Sequence, residues 1–425
     1  MGMLASQPCP GVTDDVRHGF SKLVSAVATH RHGPLTMAMP PLLCFVLAIV
    51  GLPLMISPST AATEEGPPSV WLGTAPFCAA GHQDCEILGL NYLRSDTSGE
   101  GLPCLCGEKV LCEVSETPVN PAASDRVTSF TVVQYNIMDR PFWVGQEGQR
   151  ERVCRIPQAL ARLAASETID VIVFNESFVG VCAPGLRMSH MLAYYGWRYS
   201  LPRLSTWWKP SNGGIFIASK WPIVASQNMV YEACSASDCL AAKGVQYAKL
   251  EKNVGGRSKT FHVFGTHLQG YRGTNVAGVR REQLQEMAEF VTQQRIPADE
   301  PVLLAGDFNI RGPAGVSFQE LVDILRVTVP TVVGGRRATM DVDNTLFGRG
   351  PWWVDYVLPS AIHQPPDTAA MEIIALKTEQ EFAICAQARF RPFYVSPRSS
   401  SCARTVWVRD LSDHYPVIGR FAYPR

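Results

Sequence analysis

Short β-rich runs alternate with helical stretches through the C-terminal part of the chain, and polar residues sit at or just after the ends of these runs. The runs are Ser129 to Tyr135, Asp170 to Phe174, Gly214 to Ala218, Thr260 to Gly265, Val302 to Ala305, Trp353 to Leu358 and Val417 to Phe421. Between them, Gln149 to Ala165 and Arg280 to Gln294 carry apolar residues at three- and four-residue intervals, which is the helical period. Such alternation restricts the region to an α/β domain, in which one sheet edge can gather the polar residues that follow the strands.

The 425 residues are 46% hydrophobic and 18% charged, enough to bury a large core and to form more than one folded unit. Lysine plus arginine equals aspartate plus glutamate at 38 each. With no net charge there is no long-range field to gather a polyanion, so nucleic acid is disfavoured as a partner.

From His32 to Thr63 the chain has no Asp, Glu, Lys or Arg, and Leu42 to Ile56 is nearly all apolar. Arg17, Lys22 and Arg31 precede it, so the positive-inside rule predicts a cytoplasmic tail over 1–35 and export of the chain beyond the apolar segment. The segment 36–57 reads as an uncleaved signal anchor or as a signal peptide cut near Ser59 to Ala62, with a buried core helix as the third option. The expected location is therefore single-pass, with the C-terminal domain extracellular or lumenal, or secreted. A Cys-rich module comes next over 70–115, where Cys78, Cys85, Cys104, Cys106 and Cys112 crowd into a stretch too short and polar for a core of its own. Disulfides are the expected remedy; a zinc site built on Cys104-Leu105-Cys106 is the rival. A Pro- and Ala-containing linker, Ser115 to Asp125, leads into a long domain over 126–425.

Asn136, Glu176, Asp307, Asn309 and Asp413 offer oxygen donors, which suit a hard cation such as Mg²⁺ better than zinc. In Asp307-Phe308-Asn309 the strand period puts both polar side chains on one face and Phe308 in the core. Asp355, inside Val354-Asp355-Tyr356-Val357-Leu358, is a carboxylate in an apolar strand and needs a buried partner, for which a histidine is the natural choice. His267, in Gly265-Thr266-His267-Leu268-Gln269, and His414, in Ser412-Asp413-His414-Tyr415-Pro416, complete the set. Taken singly, each motif also fits a turn, a surface pair or a core histidine. Their order along the chain is what points to phosphate chemistry, where a dication neutralises a phosphoryl oxygen while a histidine moves a proton.

That ordered set resembles the endonuclease/exonuclease/phosphatase superfamily, with its deoxyribonuclease-I-like, four-layer α/β sandwich, from about residue 126 to the end. Three further stretches resemble the secreted neutral sphingomyelinases of the sphingomyelinase C type. They are Asn212-Gly213-Gly214 through Trp221-Pro222-Ile223, Cys234 to Cys239 with Leu240-Ala241-Ala242-Lys243-Gly244, and His262 to Gln269. The resemblance implies Mg²⁺-dependent hydrolysis of sphingomyelin in membranes to ceramide and phosphocholine. It implies that Glu176 is the principal metal ligand, with Asn136 and Asp413 nearby, and that His414 is the general base oriented by Asp355. Asp307 and Asn309 would position the nucleophile and a phosphoryl oxygen, and His267 would stabilise developing charge or protonate the leaving alkoxide.

There are departures. Bacterial relatives present exposed aromatics on a hairpin shortly before the Ser-Asp-His motif, whereas the corresponding tip here is Ser396-Pro397-Arg398-Ser399-Ser400-Ser401-Cys402. Phe390, Phe393, Tyr394 and Trp407 flank it, as membrane contacts or as core. Cys234 and Cys239 are expected to close a small loop near the site. Asn175-Glu176-Ser177 matches a glycosylation sequon but contains the expected metal ligand, so it reads as a chance match. Two other functions stay open: a phosphodiesterase or phosphatase of the same fold acting on phosphoinositides or nucleic acid, and a non-catalytic surface-binding protein.

Overall fold

The computed structural model describes residues 66–116, 126–313, 315–389 and 393–425. Two sheets face each other. The first runs, edge to edge, Thr331–Val332, Thr368–Ile373, Val417–Ala422, Ser129–Asp139, Val171–Ser177, Phe216–Ser219 and Tyr199–Ser200. The second runs Ile223–Val230, Gly244–Val254, Arg257–His267, Val302–Asp307 and Asp355–Pro359.

Strand periodicity explains the layering. Phe130 and Val132 point between the sheets, where Phe130 stacks on Phe261 at 4.0 Å, while Val133, Tyr135 and Ile137 enter a second core beneath the helix Gln149–Ala164. Burial on both faces is why the central strands read as continuous apolar runs. Gly265 lets the sheets close up, since a Cβ there would stand 2.8 Å from Val173 Cγ1. On the outer face of the second sheet lie the helices Val276–Gln293 and Val316–Leu325, through contacts such as Phe264 with Phe290 and Tyr356 with Phe318. Helix, sheet, sheet, helices: the layers number four, as in a deoxyribonuclease-I-like sandwich.

Ahead of the sandwich, the strands Ser69–Leu72, Phe77–Ala79, Asn91–Asp96 and Cys106–Glu113 form a small sheet beside the helix His82–Leu88. Cys78–Cys104 and Cys85–Cys112 cross-link it, and the first of these excludes the zinc reading of Cys104. Lacking a core of its own, the module shares one: Val70, Leu88, Leu90, Val110 and Val114 cluster with Val153, Ile156 and Leu160 of the helix Gln149–Ala164. Arg155 from that helix donates to Glu86 O and Ile87 O, and Tyr195 Oη donates to Ser115 O. Elsewhere, Cys154–Cys182, Cys234–Cys239 and Cys385–Cys402 are bonded. Disulfides in this number fit an oxidising compartment.

The single-pass placement needs correction. Among the described residues no helix is long and apolar enough to cross a membrane. The tail 1–35 and the segment 36–57 lie outside the described residues, as does most of the linker.

Candidate active site

Topology gathers the polar residues. Ser129–Asp139 runs parallel to Val171–Ser177, and Arg257–His267 runs parallel to Val302–Asp307, so Asn136, Glu176, His267 and Asp307 emerge at one end of the sandwich. Asp355–Pro359 runs antiparallel to Val302–Asp307 and begins where that strand stops, pairing Asp307 with Asp355. Asp413 and His414 lie in the turn that enters Val417–Ala422 at the same end. All the residues expected from the sequence therefore meet.

The backbone is strained there. Met138, Glu176 and Asn309 have φ of 48°, 52° and 52°, in the left-handed region that side chains disfavour. Neighbours in a regular strand face opposite sides. Yet Asn175 Oδ1 meets Gln134 Nε2 at 2.7 Å while Glu176 Oε1 meets Asn136 Nδ2 at 3.3 Å, so both turn inward. The register shift between Asn136 and Asp139 accompanies this turn.

Asp307 is the hub. Its Oδ2 accepts from Asn136 Nδ2 at 3.0 Å and lies 3.6 Å from His267 Nε2 and 4.0 Å from His414 Nε2, while Oδ1 accepts from the Asn309 N–H. Burial, reinforced by the Asp355 carboxylate, pushes Asp307 up to about 7. His414 Nδ1 lies 2.7 Å from Asp355 Oδ2. Burial alone would strip its charge, but the Asp355 and Asp413 carboxylates outweigh that and hold His414 well above the usual imidazole range. His267 goes the other way, driven down by burial and by Lys243, whose Nζ is 3.2 Å from its Nε2. Asn309 Nδ2 donates to Leu268 O, fixing the loop after His267.

Several further residues hold these groups, and the sequence does not single them out. Asn175, fully buried, accepts from the Asp307 N–H at 2.8 Å and donates to Thr266 O at 3.0 Å, tying the two sheets together. Its burial agrees with reading the sequon as a chance match. Gln134 Nε2 also donates to Asp355 Oδ1 at 3.1 Å. Arg152, also buried, donates to Glu147 O, Ile137 O, Met138 O and Leu411 O, clamping the chain after Asn136 to the chain before Asp413. Lys243 pairs with Asp238 at 2.8 Å, and Asp238 caps the Gly270 N–H. The signal for Gln134 and Asn175 is an uncharged amide inside an apolar run.

A cavity of about 390 Å³ opens over the site, lined by Glu176, Asp307, Asn309, Asp413, His267 and His414 among others. A larger hollow of about 1300 Å³, between the helices His82–Leu88 and Gln149–Ala164 and the hairpin Lys377–Asp410, contains none of these groups. The donor chemistry of the smaller cavity fits a hard dication: Glu176 and Asp413 carboxylates face it, and Asn136 adjoins Glu176. Ser412 Oγ links Asn136 O at 2.7 Å to Asp413 Oδ1 at 3.3 Å. Asp307, Asp355 and His414 form a tighter group, with ligand atoms within 4.8 Å of one another. There His414 Nδ1 is committed to Asp355, which leaves Nε2 as the ring's open nitrogen.

Known proteins resemble this chain in sequence and fold. Residues 147–414 match the model of the Endonuclease/Exonuclease/phosphatase family. The chain is 26% identical over 316 residues to Sphingomyelinase C of Listeria ivanovii, covering 69% of this chain and 85% of that protein. It is 26% identical over 313 residues to Phospholipase C of Staphylococcus aureus, covering 69% and 86%. Among solved structures, Sphingomyelinase C from Streptomyces griseocarneus superposes with a TM-score of 0.58 at 25% identity, covering 69% of this chain and 99% of that one. A beta toxin variant from Staphylococcus aureus with bound magnesium ions also gives 0.58 at 25% identity, covering 70% and 100%. The chain belongs to the endonuclease/exonuclease/phosphatase family and is related within it to the sphingomyelinases C.

Proposed function

We propose that this phosphoric diester hydrolase cleaves sphingomyelin to ceramide and phosphocholine with Mg²⁺ held by Glu176, Asn136 and Asp413. One observation carries the reading: those oxygen donors share a single site with His267, Asp307, Asn309 and the Asp355–His414 pair. The names of the relatives supply the lipid, and the magnesium ions of the beta toxin structure supply the cation.

When bound, the cation would draw charge from a phosphoryl oxygen. Asp355 holds Nδ1–H of His414 and leaves Nε2 turned toward Asp307 and the site. With Asp413 occupied as a metal ligand, one of the carboxylates that keep the ring protonated would be neutralised, and the neutral ring then takes a proton from the attacking water at Nε2. Water oxygen bonds to phosphorus as the bond from phosphorus to the ceramide oxygen breaks. Asp307 and Asn309 position the water and a phosphoryl oxygen. Neutral His267, beside the fixed charge of Lys243, stabilises charge that builds on the departing side. The ceramide alkoxide takes its proton from water as it departs.

The test is release of phosphocholine by the full chain from liposomes of sphingomyelin and of phosphatidylcholine, with chelator and with Mg²⁺ restored. Turnover of sphingomyelin that depends on the cation is expected. A metal-saturated enzyme that leaves sphingomyelin intact while cleaving inositol phosphates or plasmid DNA would overturn the lipid assignment.

A further inference from the structure

Large apolar side chains stand exposed on both flanks of the catalytic cavity. On one flank, the turn after Arg140 presents Trp143, 63% exposed, and Val144. On the other, Leu240 is 59% exposed, and Trp207 and Trp208, packed edge to face at 5.6 Å, are 91% and 58% exposed. Trp143, Val144 and Leu240 line the cavity itself. The tryptophan pair is joined to that lining: Lys209 Nζ donates to Cys239 O at 2.8 Å, and the Ser211 N–H donates to Leu240 O at 3.1 Å. The Cys234–Cys239 disulfide closes the loop that Lys209 bonds. Loops tied to one another therefore carry these exposed rings.

Exposed apolar surface beside a substrate cavity marks a binding face. Tryptophan, with an apolar body and a polar N–H, favours the boundary between headgroups and acyl chains. Arg272 at the cavity mouth and Lys209 beside the pair offer positive charge to lipid phosphates. Among the described residues the hairpin Lys377–Asp410 lends no side chain to the cavity lining: its tip is polar, Tyr394 Oη is committed to Glu151, and exposed Trp407 lines the larger hollow instead. Exposed Phe393, whose carbonyl accepts from Gln146 Nε2, lies beside the segment that follows Trp143 and Val144.

We propose that a phospholipid bilayer docks against this rim, with Trp207 and Trp208 entering the headgroup layer and the cavity opening directly onto the lipid. The proposal rests on the lipid-substrate reading above. It moves membrane engagement from the hairpin tip to the loops around the site.

The experiment uses the full chain, its Trp207→Ser/Trp208→Ser variant and the milder Trp207→Ser variant. Each is sedimented with vesicles of sphingomyelin and phosphatidylcholine in chelator, then assayed with Mg²⁺ on the vesicles and on water-soluble p-nitrophenylphosphorylcholine. Circular dichroism monitors folding. The double variant should partition onto vesicles about tenfold less, the single variant should fall between, and the soluble ester should be cleaved within about twofold of the parent rate. Unchanged partition in a folded double variant overturns the docking face, as does equal loss on the soluble ester, which would make the pair part of the site. A parent that binds vesicles through these residues but releases no phosphocholine leaves the docking face standing and removes sphingomyelin as substrate.

Discussion

Asp355 Oδ2 and His414 Nδ1, 2.7 Å apart, join the first residue of a strand in one sheet to the turn that feeds a strand of the other. The pair fixes which imidazole nitrogen is left to face Asp307. His414→Ala is expected to lower kcat about a hundredfold to ten-thousandfold with vesicle binding nearly intact. Asp355→Asn should show most of that loss, because an amide can hold the wrong tautomer. Equal loss of turnover and vesicle binding for His414→Ala would assign the ring to the fold instead.

Chelation should abolish turnover and Mg²⁺ should restore it. Glu176→Gln, which removes the carboxylate expected to dominate ligation, should raise the Mg²⁺ concentration needed for half-activation by about tenfold or more. Titration calorimetry of the parent and the variant with Mg²⁺ checks the same point without substrate.

Arg152 has no contact with the cavity but holds the backbone on both sides of it. Arg152→Met keeps the volume and leaves buried carbonyls unmet, so stability should fall by about 3 kcal/mol in urea denaturation. Arg152→Lys should recover part of that stability but less of the activity, since an ammonium lacks the planar fork that reaches both strands.

Asp139 supplies a pH signature. Burial pushes its carboxyl from 3.8 up to about 7, even though the Gly180 N–H donates to it. The native state then binds its proton more tightly than the unfolded chain does. Stability from this group is present in full below about pH 4 and is lost as pH rises to about 7. Asp139→Asn should flatten that fall in denaturation midpoints measured across the window.

Cys234 and Cys239 enclose a short loop, so losing their bond should cost about 2 kcal/mol or less. Asp238 within the loop anchors Lys243 beside His267. Cys234→Ser/Cys239→Ser should therefore reduce turnover more than it reduces the melting temperature.

The central strands are legible in the sequence because burial on both faces makes them continuous apolar runs. The strands Ile223–Val230 and Gly244–Val254 are not, since the former lies at a sheet edge with exposed residues and the latter carries Lys249, Glu251 and Lys252. The helix read from Arg280 starts at Val276, beyond a glycine-bearing turn that masks its first residues. At the site, Asp355 could be given a histidine partner because an isolated carboxylate in an apolar strand demands one. Asn175, Gln134 and Arg152 escape notice because their partners lie far along the chain and one at a time offer no local pattern.

The apolar side of the Cys-rich module is also the roof of the helix Gln149–Ala164. Cutting the chain at residue 126 would unroof Val153, Ile156 and Leu160 and leave a greasy scar on the catalytic unit. Shortened versions of this enzyme should accordingly begin upstream of Val70, and an inhibitor that pries the module loose would disable the enzyme through misfolding, without touching its phosphate pocket.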